Sequence, residues 1–177
     1  MKKFFSILVA LPLLGIGVAN AQTTGTTSVH VKLVDVLSLA VNNTDVNINF
    51  NTVSDYQNGV TVPMSGHLSV TSNKAYTLNV KAAGNFAGTG VNTDVLDPSV
   101  VKISLPAGGN NTGLGVTPST VSNLSSSDAA LLTSASPAIS KLLDVTYAVP
   151  SSVSTTTAIL GKKADTYTST VTYTITQ

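Results

Sequence analysis

The chain has 177 residues, nine Lys and eight Asp with no Arg, Glu, Cys or Trp, a formal net charge of +1 and a charged fraction of only 10%, against ~25% in an average soluble protein. Lysines this scattered and this evenly matched by aspartates exclude a polybasic nucleic-acid binder, which needs clustered cations to displace phosphate counterions. The absence of Cys excludes thiol chemistry, disulfide staples and thiolate-bound metals.

Lys2 and Lys3, an apolar run over residues 4–18 and Ala19-Asn20-Ala21 supply the charged start, hydrophobic middle and small-x-small cleavage site of a secretory leader. The run is short of the ~20 apolar residues that span a bilayer. Residues 1–21 are therefore expected to be removed, leaving residues 22–177 as one exported domain without a transmembrane segment. The product belongs outside the cell, on its surface or in the periplasm.

Residues 22–28, mostly Thr and Gly, are expected to be mobile. A strand with Val29, Val31 and Leu33 on one face follows, then a second with Leu37, Leu39 and Val41 after a slip at Val34-Asp35-Val36. Val46, Ile48 and Phe50 alternate with asparagines in a third strand. Residues 55–59 read as a turn, and residues 60–64 and 67–71 as two short strands around Ser65-Gly66. Tyr76, Leu78 and Val80 mark the next strand, residues 84–98 a long connection, residues 100–105 a strand, and residues 106–120 a loop. Residues 127–133, with Asp128 before Ala129-Ala130-Leu131-Leu132, form the one helix-like stretch. Strands are expected over residues 142–149 and 166–177, joined by a polar link. The pattern predicts an all-β fold, an antiparallel immunoglobulin-like β-sandwich of about 7–9 strands with little or no helix.

No residues assemble into a catalytic signature. The two histidines, His30 and His67, both sit in alternating segments and read as solvent-facing strand residues, with no nucleophile motif beside either. Asp55, Asp94, Asp97, Asp128 and Asp165 read as turn and cap formers. Asn92, Asp94 and Asp97 gather oxygens in one loop, but their spacing matches no Ca²⁺ loop. No enzyme activity, metal or cofactor is expected.

Three features point to binding. Thr166, Thr168, Thr170, Thr172, Thr174 and Thr176 occupy every second position of the last strand, opposite Tyr167, Val171, Tyr173 and Ile175. They form a candidate pairing edge free of charged blockers. Val29, Val31 and Leu33, behind a short leader, form a candidate assembly strand of the kind donated to a neighbour's sheet. Tyr56 and Phe86 lie in predicted loops and are candidate glycan contacts.

The order of elements resembles small secreted bacterial β-sandwiches of the spore-coat-protein-U and fimbrial-adhesin kind. The likeness is carried by Ala19-Asn20-Ala21, Val46-Asn47-Ile48-Asn49-Phe50, Gly66-His67-Leu68-Ser69-Val70, Ala75-Tyr76-Thr77-Leu78-Asn79-Val80, and the closing stretch from Asp165 to Tyr173. The Ser/Thr-rich strands are also similar to wall-attached domains of the WxL type. The resemblance implies an exported, non-enzymatic structural protein, a subunit of a fibre, pilus or coat that associates with copies of itself. The alternative is a glycan- or cell-wall-binding module. Neither reading involves nucleic acid.

Overall fold

The structure, a computed structural model, describes residues 23–177; the expected leader lies outside the described residues. The compact unit runs from Val34 to Gln177, and the stretch before it belongs to a separate unit. No strand forms over residues 29–33, where Val29, Val31 and Leu33 are 79%, 79% and 86% exposed. Alternation gives a segment an apolar face, but a strand also needs a neighbour to take its backbone groups.

Ten strands and two short helices form the compact unit: β1 (Leu37–Val41), α1 (Val53–Asn58), β2 (Gly59–Ser72), β3 (Tyr76–Ala82), β4 (Phe86–Ala87), β5 (Val95–Leu96), β6 (Lys102–Ser104), β7 (Thr120–Val121), β8 (Ala129–Ala135), β9 (Ala138–Pro150), α2 (Ser151–Ser154) and β10 (Val171–Thr176). The fold is all-β, and every strand pair is antiparallel. One sheet has the order β1-β2-β9-β6-β7, a second β10-β3-β8, and β4 with β5 makes a small hairpin. Among the described residues no helix is long and apolar enough to cross a membrane.

Period-2 patterning explains the core. Tyr76, Leu78, Val80 and Ala82 on β3 and Leu143, Val145, Tyr147 and Val149 on β9 are buried, while the residues between them are half-exposed. One hydrophobic cluster joins these two faces with Leu131 and Leu132 of β8 and Ile103 of β6. At ~25 cal/mol per Å² of apolar surface, each fully buried Leu or Val contributes roughly 1.5–3 kcal/mol toward holding the sheets together.

Four local expectations change. The two short strands around Ser65-Gly66 are one strand, β2, whose register slips between Met64 and Leu68. Gly66 adopts φ of +57° there, a left-handed conformation suited to a bulge. The slip puts His67 and Leu68 both inside, so His67 is 2% exposed and not solvent-facing. Residues 53–58 form α1 instead of a turn, because a capping box closes its first turn: Thr52 Oγ1 accepts from the Asp55 amide at 3.3 Å, and Asp55 Oδ2 accepts from the Thr52 amide at 2.7 Å. Gly59 ends that helix at φ +77°, where a Cβ would lie 2.8 Å from the Pro150 carbonyl carbon.

The third change is at residues 127–133, where Ala and Leu favour helix by propensity but β8 forms, pairing with β3 and burying Leu131 and Leu132 completely. Packing overrides propensity here, as it does whenever an apolar stretch can complete a sheet face. Asp128 faces Lys81 across that pair at 3.5 Å instead of capping a helix. The last change is that regular pairing of the final strand begins at Val171, preceded by an isolated bridge between Thr168 and Ala87.

Candidate functional site

A groove of about 810 Å³ opens along one side of the compact unit, within the ~300–1,000 Å³ range of binding pockets. Its first wall is residues 43–51, which leave the end of β1 in an extended course. Val46, Ile48 and Phe50 turn toward the core and are half-buried, while Asn47 and Asn49 face out. The facing expected from the sequence is present, but the ladder is not. Among the described residues, no backbone hydrogen bond joins residues 43–50 to any other segment.

The second wall is residues 162–171. Thr168 both donates to and accepts from Ala87, at 2.9 and 3.1 Å, and Thr170 accepts from Ala83 at 2.8 Å. Alternate residues of a strand direct their backbone groups to opposite edges, so the groups of Tyr167 and Ser169 point away from β4 and are without backbone partners. The wall is pinned from behind by polar contacts. Asp165 accepts from the Thr89 amide and from Asn92 Nδ2, each at 2.8 Å, and from the Thr89 hydroxyl. Those donors, Thr89 and Asn92 first, hold its carboxyl far below the ordinary carboxylate range. Asp94 accepts from the Lys163 amide at 2.9 Å, and Tyr167 donates to the Lys163 carbonyl at 2.8 Å.

The floor is aromatic with a polar seam. His67 Nε2 lies 2.9 Å from the Tyr147 hydroxyl, which lies 2.5 Å from the Tyr173 hydroxyl. The imidazole meets both rings edge-on. Burial lowers the His67 pKa and pushes the Tyr147 phenol up to about 12; burial and then the neighbouring Tyr147 raise Tyr173 further. All three are neutral at pH 7. His67 Nδ1 is buried with no partner among the described residues. The imidazole is thus tied through Nε2 to a phenol.

Both candidate glycan contacts line this groove, though neither sits in a loop. Tyr56 rides on α1, 36% exposed, with its ring 5.0 Å from that of Phe50. Phe86 belongs to β4, opposite Leu96, and is half-buried. The Thr row holds its expected orientation: Thr166, Thr168, Thr170, Thr172, Thr174 and Thr176 are exposed and the residues between them half-buried. β10 is an edge strand, paired to β3 alone. The oxygens of residues 92–97 do not converge. Asn92 accepts from the Asp94 amide, Asp94 holds Lys163, and Asp97 caps the short turn at Pro98–Val100 through the Ser99 amide. Among the described residues no group of three His, Asp or Glu side chains forms a metal-binding cluster.

One anchor escapes sequence reading altogether. Asp144 Oδ1 accepts from the Gly66 amide and Asn110 Nδ2, each at 2.7 Å, and its Oδ2 from the Asn110 amide at 3.0 Å. It ties the β2 bulge to the loop at residues 106–112, and the Gly66 and Asn110 donors lower its pKa. The only signal in the sequence is an Asp at the outward position between Leu143 and Val145. Compared with known proteins, the chain matches no family model and no curated sequence, so the geometry of the groove itself carries the functional reading.

Proposed function

We propose that this protein is an exported, non-enzymatic structural component of the cell surface or extracellular space, which associates with its own copies through strand edges as a subunit of a fibre, pilus or coat. The observation that supports this most is the pair of unpaired extended backbones bordering the groove. Strand addition from another chain would pair such backbone groups row by row. The edge strand β10 carries threonines and no lysine, so nothing on it repels a partner strand. The low charge of the whole surface limits repulsion between copies in the same way.

The test is light scattering with negative-stain imaging of the exported chain, beside a variant carrying Thr172→Lys and Thr174→Lys. Large oligomers or filaments from the first and small species from the second support the reading. Compact monomers from both at high concentration sink it.

A second reading, a glycan- or cell-wall-binding module, is favoured by one observation: Tyr56 and Phe86 share a groove with Phe50 and with the outward amides of Asn47 and Asn49. Rings flanked by amides suit a sugar face and its hydroxyls. Replacing Tyr56 and Phe86 with Ala and finding unchanged retention on isolated cell walls would remove it.

A further inference from the structure

We infer that the floor of the groove and its lysine-bearing end form a binding site for a single-chain anionic amphiphile, a long-chain fatty carboxylate. This goes beyond the strand-edge reading and holds whether or not copies associate. The floor sets the first requirement. Val101 and Val149 are buried, Leu96 and Phe86 are half-buried, and all four line the groove together with Ile48 and Phe50 of the first wall. The polar atoms among them are engaged with one another: the Tyr147 hydroxyl meets both His67 Nε2 and the Tyr173 hydroxyl, and His67 Nδ1 is itself buried. A sugar laid on this floor would leave its inward hydroxyls desolvated and without partners. An alkyl chain has no such groups, and each methylene it buries tightens binding roughly fourfold.

Charge sets the second requirement, and it is distributed by end. The first wall begins beside His67, where the Asn42 amide donates to the His67 carbonyl at 2.8 Å. The second wall finishes there, with the Tyr173 ring 6.0 Å from the imidazole. Lys162 and Lys163 stand at the start of the second wall, toward the end that holds Phe50 and Tyr56, and the Tyr56 carbonyl is tied there to the Ser154 hydroxyl at 2.7 Å. The walls therefore run antiparallel, and the groove has a basic end.

The acids nearby do not neutralise that end. Asp165 is held by Thr89 and Asn92, and Asp94 accepts from the Lys163 amide. Asp45, also in the lining, belongs to the start of the first wall. Among the described residues the ion-paired lysines are Lys74 and Lys81, so the ammonium groups of Lys162 and Lys163 are left to meet an anion. Lys162 is half-buried, where its charge is screened less than on open surface. Residues 43–51 extend over roughly 30 Å at ~3.3 Å per residue, and a slot of that length with one basic end matches a thread-like apolar chain carrying one acidic head.

The test uses the whole chain, expressed with its own leader and recovered from the host's exported fraction. Octanoate, decanoate and dodecanoate, each below its micelle concentration, are titrated by calorimetry, with the methyl ester of dodecanoate as the neutral control. The expected result is a gain of roughly fourfold in affinity per added methylene. The Lys162→Ala/Lys163→Ala chain should keep its melting temperature and bind dodecanoate about tenfold more weakly, with the ester unaffected. Because the chain has no cysteine, an environment-sensitive dye on Ile48→Cys locates the ligand: it should respond to dodecanoate, and the same dye on Val91→Cys, at a site 97% exposed, should not. No binding up to millimolar dodecanoate overturns the assignment, as does binding that leaves the position-48 dye silent. Equal affinity for acid and ester, with the lysine variant unchanged, overturns it through the head group. A dye that follows protein concentration alone, or cell-wall oligosaccharides and not dodecanoate, shows another copy or a glycan in the groove and overturns it too. Light scattering on the same samples reads self-association separately: dodecanoate bound by monomers keeps this site while the assembly reading falls, and filaments that bind no dodecanoate do the reverse.

Discussion

β3 and residues 44–50 carry the same signal, an apolar residue at every second position, and end in different states. On β3, Tyr76, Leu78 and Val80 are 1%, 0% and 0% exposed, with β10 on one edge and β8 on the other. In residues 44–50, Val46, Ile48 and Phe50 reach the core only halfway, and neither edge has a ladder. The difference teaches that alternation decides which way side chains face, whereas pairing depends on whether another segment arrives alongside. A half-buried segment without neighbours is an incomplete layer of the fold.

The sharpest way to break this comparison is by deletion of matched side chains. Leu78→Ala, in a position flanked on both sides, should cost about 2–5 kcal/mol in urea unfolding, whereas Ile48→Ala should cost about 1 kcal/mol, since a half-buried site can relax. Equal losses would mean that the two segments are equally integrated. Hydrogen exchange sharpens it further: amides of β3 should exchange only with global unfolding and those of residues 44–50 far faster.

Next in size is Asp144→Ala, which removes the acceptor for Gly66 and Asn110 and should destabilise by about 1–3 kcal/mol, the range for hydrogen bonds to a charged group. The same variant should release the β2 bulge, seen as faster exchange at Gly66 and His67. A smaller effect comes from pH. The folded-state pKa of His67 lies below its ordinary 6.5, so the unfolded chain binds the proton more readily, and stability present above pH 6.5 is lost as pH falls below it. The melting temperature should drop between pH 7 and 5. His67→Leu should flatten that interval. Loss through the carboxylates, whose ordinary value is 3.8 and whose folded values are lower at Asp55, Asp97, Asp144 and Asp165, comes only below about pH 4. The smallest effect belongs to Val31→Asp, within ~0.5 kcal/mol on stability because the site is exposed.

The all-β class was legible because period-2 alternation recurs from Leu37 to Ile175 and the turn residues fall between the runs. Residues 127–133 misread because Ala and Leu say nothing about the neighbour that makes β8 a strand. His67 misread because residues 65–67 bulge opposite Asp144 alone, turning His67 inward beside Leu68 while the rest of β2 keeps its alternation, and the bulge is visible only once β9 is in place. The Thr row and the placement of Tyr173 were readable from spacing alone. The groove was not, because its walls lie more than a hundred residues apart in sequence and its defining property is bonds not made. Tyr56 and Phe86 were found for their ring chemistry and met in one groove by the fold, a convergence that no local pattern encodes.

The central pairing of the large sheet, β2 with β9, sets the order in which the molecule is able to form. Its partners are widely separated along the chain, with His67 meeting Tyr147 80 residues later. Closing so long a loop costs entropy before any contact rewards it, and topologies dominated by such pairings fold slowly. Until β9 is present, β2 lacks its main neighbour and β3 faces only half a core. A chain made from its N-terminus therefore stays unfolded until most of it has been synthesised.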